Sequence, residues 1–166
     1  MGSRSAHGWR RLIKACVLGL LTFLPVTLHA RCVDSAVAIR GDWGQARFSV
    51  EVADSPAEQA RGLMFVEQMP IMSGMLFVYP SPRSASFWMR NTLIPLDMLF
   101  FDETGTLTRV HAMAQPLDET PIPGGDAVQF VLEINGGLAD RLGIAPGDVM
   151  QHPSVGSNAA WPCPDD

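Results

Sequence analysis

Within the run Ser86-Phe87-Trp88-Met89-Arg90-Asn91-Thr92-Leu93-Ile94-Pro95-Leu96-Asp97, an indole, a guanidinium, two side chains able to bond their own backbone and a carboxylate stand among large apolar residues. Trp88 offers a stacking face, Arg90 a cationic donor and Asn91 an amide. Small-molecule pockets combine apolar surface with a few orienting polar groups of this kind. Asp97 lies inside an apolar run, where an unpaired carboxylate is costly to bury. Arg90, across the turn, is its candidate partner, as a structural ion pair or as part of a site. Glu133 ends another apolar run and has Arg61 or a backbone amide as its candidate partner. Arg61, Trp88, Arg90, Asn91, Asp97 and Glu133 are therefore the candidate ligand-binding residues.

Two further chemistries are open to these residue types. If Asp97, Asp118 and Glu133 share one face, two of the carboxylates can divide into acid and base by environment, as hydrolysis of a cell-envelope glycan requires. Met69, Met72 and Met75 recur every third residue, with Met64 nearby, and thioethers are soft ligands that select Cu(I). Methionine is also an ordinary filler of core gaps. There is no nucleophile elbow, phosphate-binding Gly-Lys loop, Cys-x-x-Cys pair or zinc-helix motif. Beyond residue 30 the histidines are His111 and His152, too few for most imidazole zinc sites. No reaction, cofactor or metal follows from the sequence, and a non-catalytic binding module is the favoured reading.

The elements that must position these side chains are short strands. Residues 84–89 form an apolar, aromatic strand, Asn91 and Thr92 a turn, and Pro95 holds Ile94 extended before a strand over 96–101. Alternation along the strand allows only one of Phe87 and Trp88 to enter the core. Upstream, 35–40 and 47–52 read as strands joined by Gly41-Asp42-Trp43-Gly44, the second alternating Phe48, Val50 and Val52 with polar residues. Ser55, Pro56 and Glu58 spell a capping box that opens a two-turn helix ending at Gly62. A strand over 74–79 is closed by Pro80-Ser81-Pro82. Residues 96–101 and 106–113 make a hairpin around Asp102-Glu103-Thr104-Gly105. A Pro-, Gly- and acid-rich loop spans 114–126, longer than most connections and so of a functional length. A strand over 128–134, a second short helix through Leu142 and a last strand over 149–152 complete the pattern. It predicts a mainly β, compact single-domain sandwich or barrel of about eight short strands with two short helices.

Gly62-Leu63-Met64, Gly74-Met75-Leu76-Phe77, Phe87-Trp88-Met89-Arg90-Asn91-Thr92, Ile94-Pro95-Leu96-Asp97, Val131-Leu132-Glu133 and Gly147-Asp148 together resemble the domain-of-unknown-function 192 family of bacteria and archaea. The Trp-Met-Arg-Asn-Thr and Ile-Pro-Leu-Asp blocks are the specific part of the resemblance, which runs from about residue 48 to 150. It implies a small, mainly β domain, often behind a signal peptide, and brings no established activity.

The first thirty residues set the compartment. Arg4, Arg10, Arg11 and Lys14 precede an apolar stretch over 15–28 that ends in His29-Ala30. This is the order of a secretory signal peptide, too short for a membrane span of ~20 residues. Residues 1–30 are thus expected to be a signal peptide, 31–152 the domain and 153–166 a tail, in a periplasmic or secreted protein. Cleavage removes four of the twelve basic residues and no acid, taking the formal charge from −5 to −9 and leaving no lysine. Such a chain is unsuited to nucleic acid or to an anionic membrane surface. It suits a neutral or cationic small molecule or an envelope protein as partner, with no stable membrane insertion. Of the three cysteines, Cys16 leaves with the signal, so Cys32 and Cys163 are expected to pair in an oxidising space.

Overall fold

A computed structural model describes residues 2 and 32–164 of the chain; the signal-peptide expectation falls on residues 1–30, which apart from Gly2 lie outside the described residues. The elements run β1 (Ala36–Gly41), β2 (Gly44–Ala53), α1 (Pro56–Arg61), β3 (Ser73–Phe87), β4 (Leu96–Phe101), β5 (Leu107–Ala114), β6 (Ile122–Asn135), α2 (Leu138–Leu142) and β7 (Val149–Gln151), followed by a 3-10 turn over Pro153–Asn158. The seven strands form one sheet in the order β5-β4-β6-β3-β2-β1-β7. All neighbours are antiparallel except β2 and β3, which α1 and its following connection join as a parallel pair.

The sheet curls so that its outer strands meet. Thr106 bridges Val149, and the Leu107 N–H reaches the Asp148 carbonyl at 2.7 Å. The result is a half-barrel, which shelters the otherwise open edges of β5 and β7. Two apolar clusters occupy its two faces. Val37, Ile39, Phe48, Leu76, Leu99, Phe101, Leu132 and Met150 fill the inside of the curl. Met75, Phe77, Met98, Phe100 and Val131 pack on the outer face beneath the connections. Because β3, β4 and β6 are covered on both faces, they read as continuous apolar runs rather than alternating ones.

The mainly β architecture agrees with the sequence reading, and the strand count differs for a local reason. The segments expected at 74–79 and 84–89 are one long strand, β3, that passes straight through Pro80 and Pro82. Its pairing with β6 jumps from Val78↔Phe130 to Arg83↔Val128, so the prolines sit in an irregularity whose amides the ladder does not need. Likewise β6 begins at Ile122, so the last five residues of the expected long loop, 122–126, are strand. Gly124 sits there because a Cβ would run into the Phe100 ring.

The segment after β7 is tied down rather than loose. Cys32 and Cys163 are joined, with Cα atoms 5.7 Å apart and 131 positions between them in sequence. The Gln151 amide donates to the Pro162 carbonyl at 2.8 Å, and the Arg40 guanidinium lies 4.4 Å from the centre of the Trp161 ring. Closing so long a loop restricts mainly the unfolded chain. The expected outcome of replacing both cysteines by Ser is a loss of about 2–5 kcal/mol with the fold retained. Urea unfolding of the two proteins, followed by far-UV circular dichroism, measures it.

Candidate functional site

The segment 89–95 is held by backbone bonds from every neighbouring loop. Met89 N–H donates to the Asp118 carbonyl at 2.8 Å; the Asn91 carbonyl accepts from Phe65 at 2.8 Å; the Thr92 carbonyl accepts from Leu117 at 3.1 Å; and the Pro95 carbonyl accepts from Gly136 at 2.9 Å. Asn91 turns the chain with φ 55°, a conformation that asparagine tolerates better than most residues. Phe65 and Leu117, on either side, also take left-handed φ of 64° and leave their side chains in solvent. Backbone strain of this kind persists only where the surroundings over-determine it.

Asp97, on β4, is fully buried and its carboxylate is saturated. Oδ1 accepts the N–H groups of Met113 and Gly137, each at 2.8 Å, and Oδ2 accepts that of Ala139 at 2.8 Å. The carboxylate therefore supplies the N-terminal acceptor that α2 lacks, since its capping residue is Gly137. The expected Arg90–Asp97 pair is corrected here. Asp97 stands opposite Ile134, on the inner face, whereas Arg90 is exposed and lies 5.6 Å from the centre of the Trp88 ring.

Glu133 is the neighbour of Asp97 across the sheet, one position out of phase, and so it points the other way. It stands in a row between Met75 of β3 and Met98 of β4 on the outer face. Only 4% of the residue is exposed, and its side chain makes no hydrogen bond or ion pair among the described residues, with Arg61 or with an amide. No fully enclosed side-chain oxygen lacks a partner among those residues, so the carboxyl opens onto the cavity above it. Burial pushes its pKa up to about 8.

That cavity holds about 270 Å³, and Arg61, Trp88, Arg90 and Glu133 all line it. Phe77, Tyr79 and Phe87 complete the wall, with the Phe77 and Phe87 rings edge to face at 5.2 Å. Trp88, just past the end of β3, is 48% exposed, while Phe87 packs against the outer-face cluster. Arg61 is brought to the mouth by α1, whose capping box forms with Ser55 and Glu58 and whose Gln59 amide bonds the Ala53 and Val78 carbonyls. Glycine at position 62 lets the chain turn with φ 49° directly over the Phe77 ring. Asn91 and Asp97 do not line the cavity; Asn91 instead directs its amide at the Met64 sulfur, 3.8 Å away. Tyr79 was not singled out from sequence, though alternation from Met75 through Phe77 places it on the same face. Burial raises its hydroxyl pKa, an effect that Arg83 opposes and Glu133 reinforces.

The two other chemistries fare differently. Asp97, Asp118 and Glu133 do not converge: Asp97 is on the opposite face from Glu133, and Asp118 is exposed, accepting from Thr120 N–H at 2.8 Å. Met64, Met69 and Met75 line a larger, open cleft of about 810 Å³ on the far side of residues 61–64, and Met72 does not. Among the described residues no group of three or more His, Cys, Asp or Glu is placed to hold a metal.

Two measurements check this geometry. Removing the Asp97 carboxylate orphans three backbone amides, so Asp97→Ala is expected to cost more than about 3 kcal/mol, against about 0–1 kcal/mol for Arg90→Ala. Chemical denaturation of both variants separates the saturated acid from the exposed base. For Glu133 the sign follows from its raised pKa. The folded state holds a proton that the unfolded state releases above the ordinary carboxylate value of 4.5. Its stabilising contribution is complete below that value and is lost as pH rises to about 8. Between those limits Glu133→Gln should gain on the parent by up to about 1.4 kcal/mol per pH unit. Paired melting curves across that range read the slope directly.

Comparison with known proteins places the chain. A protein of unknown function from Novosphingobium aromaticivorans DSM 12444 is 47% identical over 69% of this chain and 82% of its own, with a TM-score of 0.68. A putative transcription regulator from Sinorhizobium meliloti 1021 is 35% identical over 76% of this chain and 98% of its own, with a TM-score of 0.71. No curated protein matches. The model of the domain-of-unknown-function 192 family, described as an uncharacterised ACR, matches residues 37–152, and the chain belongs to that family.

Proposed function

We propose that this chain is a non-catalytic binding module whose small-molecule ligand enters the cavity above Glu133. One observation carries the reading. A buried carboxyl with no partner among the described residues faces an aromatic-walled cavity whose mouth holds Arg61, Arg90 and Trp88. A group that serves the fold alone is expected to be satisfied by the fold, as Asp97 is by its three amides. Left open at a cost in stability, Glu133 is the kind of perturbed group that marks functional sites. We further propose that the protein works outside the cytoplasm, in the periplasm or beyond; the Cys32–Cys163 bond supports this, since such bonds persist in oxidising compartments.

The test is a thermal-shift screen of the purified protein against an unbiased panel of envelope sugars, peptides, amines, organic acids and metal ions. A ligand at a hundred times its dissociation constant is expected to stabilise by about 2.7 kcal/mol. Glu133→Gln and Trp88→Ala should each diminish that shift, while Glu103→Ala, exposed in the β4–β5 turn and outside the cavity lining, should not. A hit whose shift survives both cavity variants intact would remove the cavity from the argument.

A further inference from the structure

The cavity is electrically asymmetric, and its asymmetry describes a ligand. At the closed end sits the Glu133 carboxyl, flanked by Met75 and Met98 in the sheet. At the open end are the exposed side chains of Arg61 and Arg90; neither has a carboxylate partner among the described residues, and the Arg90 guanidinium lies over the Trp88 ring. Phe77, Tyr79 and Phe87 lie between the two ends. An ammonium group favours loss of the buried acid's proton and finds there both the resulting carboxylate and the negative faces of aromatic rings. A plain cation is unwelcome between two guanidinium groups, whereas a carboxylate finds there charge-assisted donors. A molecule with an ammonium at one end and a carboxylate at the other satisfies both. At about 270 Å³ the space falls just below the roughly 300–1,000 Å³ typical of drug-sized ligands.

We propose that the cavity binds a small zwitterion of the amino-acid class, with its ammonium on Glu133 and its carboxylate on Arg61 and Arg90. This rests on the cavity reading above and adds the chemical class. The proton balance follows. The ammonium supplies the charge that a neutral Glu133 lacks, so the carboxyl ionises as the ligand enters and its proton passes to solvent. The other ionisable groups facing the cavity are Tyr79, Arg61 and Arg90. Tyr79 stays a neutral phenol, because burial raises it further above the neutral range. Near pH 6 about one proton is therefore released per ligand bound, and release fades as pH passes about 8.

Isothermal calorimetry of the full folded protein against the common L-amino acids tests this. Each binding amino acid is compared with its amide, which lacks the carboxylate, and its N-acetyl form, which lacks the ammonium. Both caps are expected to weaken binding by at least about tenfold. Titrations in two buffers of different ionisation heat should count the released proton near pH 6, and Glu133→Gln should abolish that release. Arg90→Ala, an exposed change that leaves the fold intact, should narrow the gap between an amino acid and its amide. The proposal is overturned if no amino acid binds, if capped forms bind as well as their parents, or if proton release survives Glu133→Gln. A neutral ligand lost on Glu133→Gln and Trp88→Ala would overturn the zwitterion and leave the cavity reading standing. Amino-acid binding that persists in both variants would overturn the two together.

Discussion

A single buried carboxylate holds together the parts of this molecule that carry its site. Asp97 is enclosed completely, and its charge is tolerable only because three backbone N–H groups converge on it. Those groups come from the end of β5 and from the first turn of α2, so the acid on β4 settles where both must lie. Pro95, two residues earlier, receives Gly136 N–H, and a side chain at position 136 would press on Pro95 and on the Met113 sulfur. The chain thus leaves the segment 89–95 and enters the sheet in one geometry. Trp88 and Arg90 are displayed from the other end of that segment.

The same sheet separates two acids that sequence alone would group. Asp97 and Glu133 lie on adjacent strands, but Asp97 pairs with Ile134 and Glu133 with Met98, one step out of phase. Period two then sends one inward and one outward. Inward, the loop and helix termini bring amides and the charge is satisfied. Outward, Glu133 meets methionines, aromatic rings and an open cavity, and burial without donors keeps its proton on. The contrast is between a carboxylate that completes the fold and a carboxyl that the fold leaves available.

Around that cavity the chain tolerates unfavourable local geometry. Phe65, Asn91 and Leu117 all have positive φ, and the first and last carry large apolar side chains exposed to solvent. Phe65 and Leu117 spend their amides on Asn91 and Thr92 and so grip the segment 89–95 from both sides. These bonds fix the segment that follows Trp88 and carries Arg90, so the two side chains are presented to the cavity from constrained backbone.

Much of this was legible in the residues themselves. The capping box of α1, the β4–β5 hairpin, the turn at Asn91 and the Cys32–Cys163 pair are local or compositional signals, set by backbone chemistry over a few positions or by the count of available thiols. The resemblance carried by Trp88 to Asp97 was legible for the same reason, since its residues are contiguous. Four of the six candidate site residues, Arg61, Trp88, Arg90 and Glu133, do share one cavity, and two do not. Register decided that division: nothing in the sequence states whether position 97 pairs with 133 or with 134, and that one-residue choice separates a saturated acid from an open one. The passage of β3 through Pro80 and Pro82 was hidden because the irregular pairing that absorbs them is made with β6, about fifty positions away. Residue types and spacing determined which groups were present; long-range strand pairing alone decided which face each one took and what it met there.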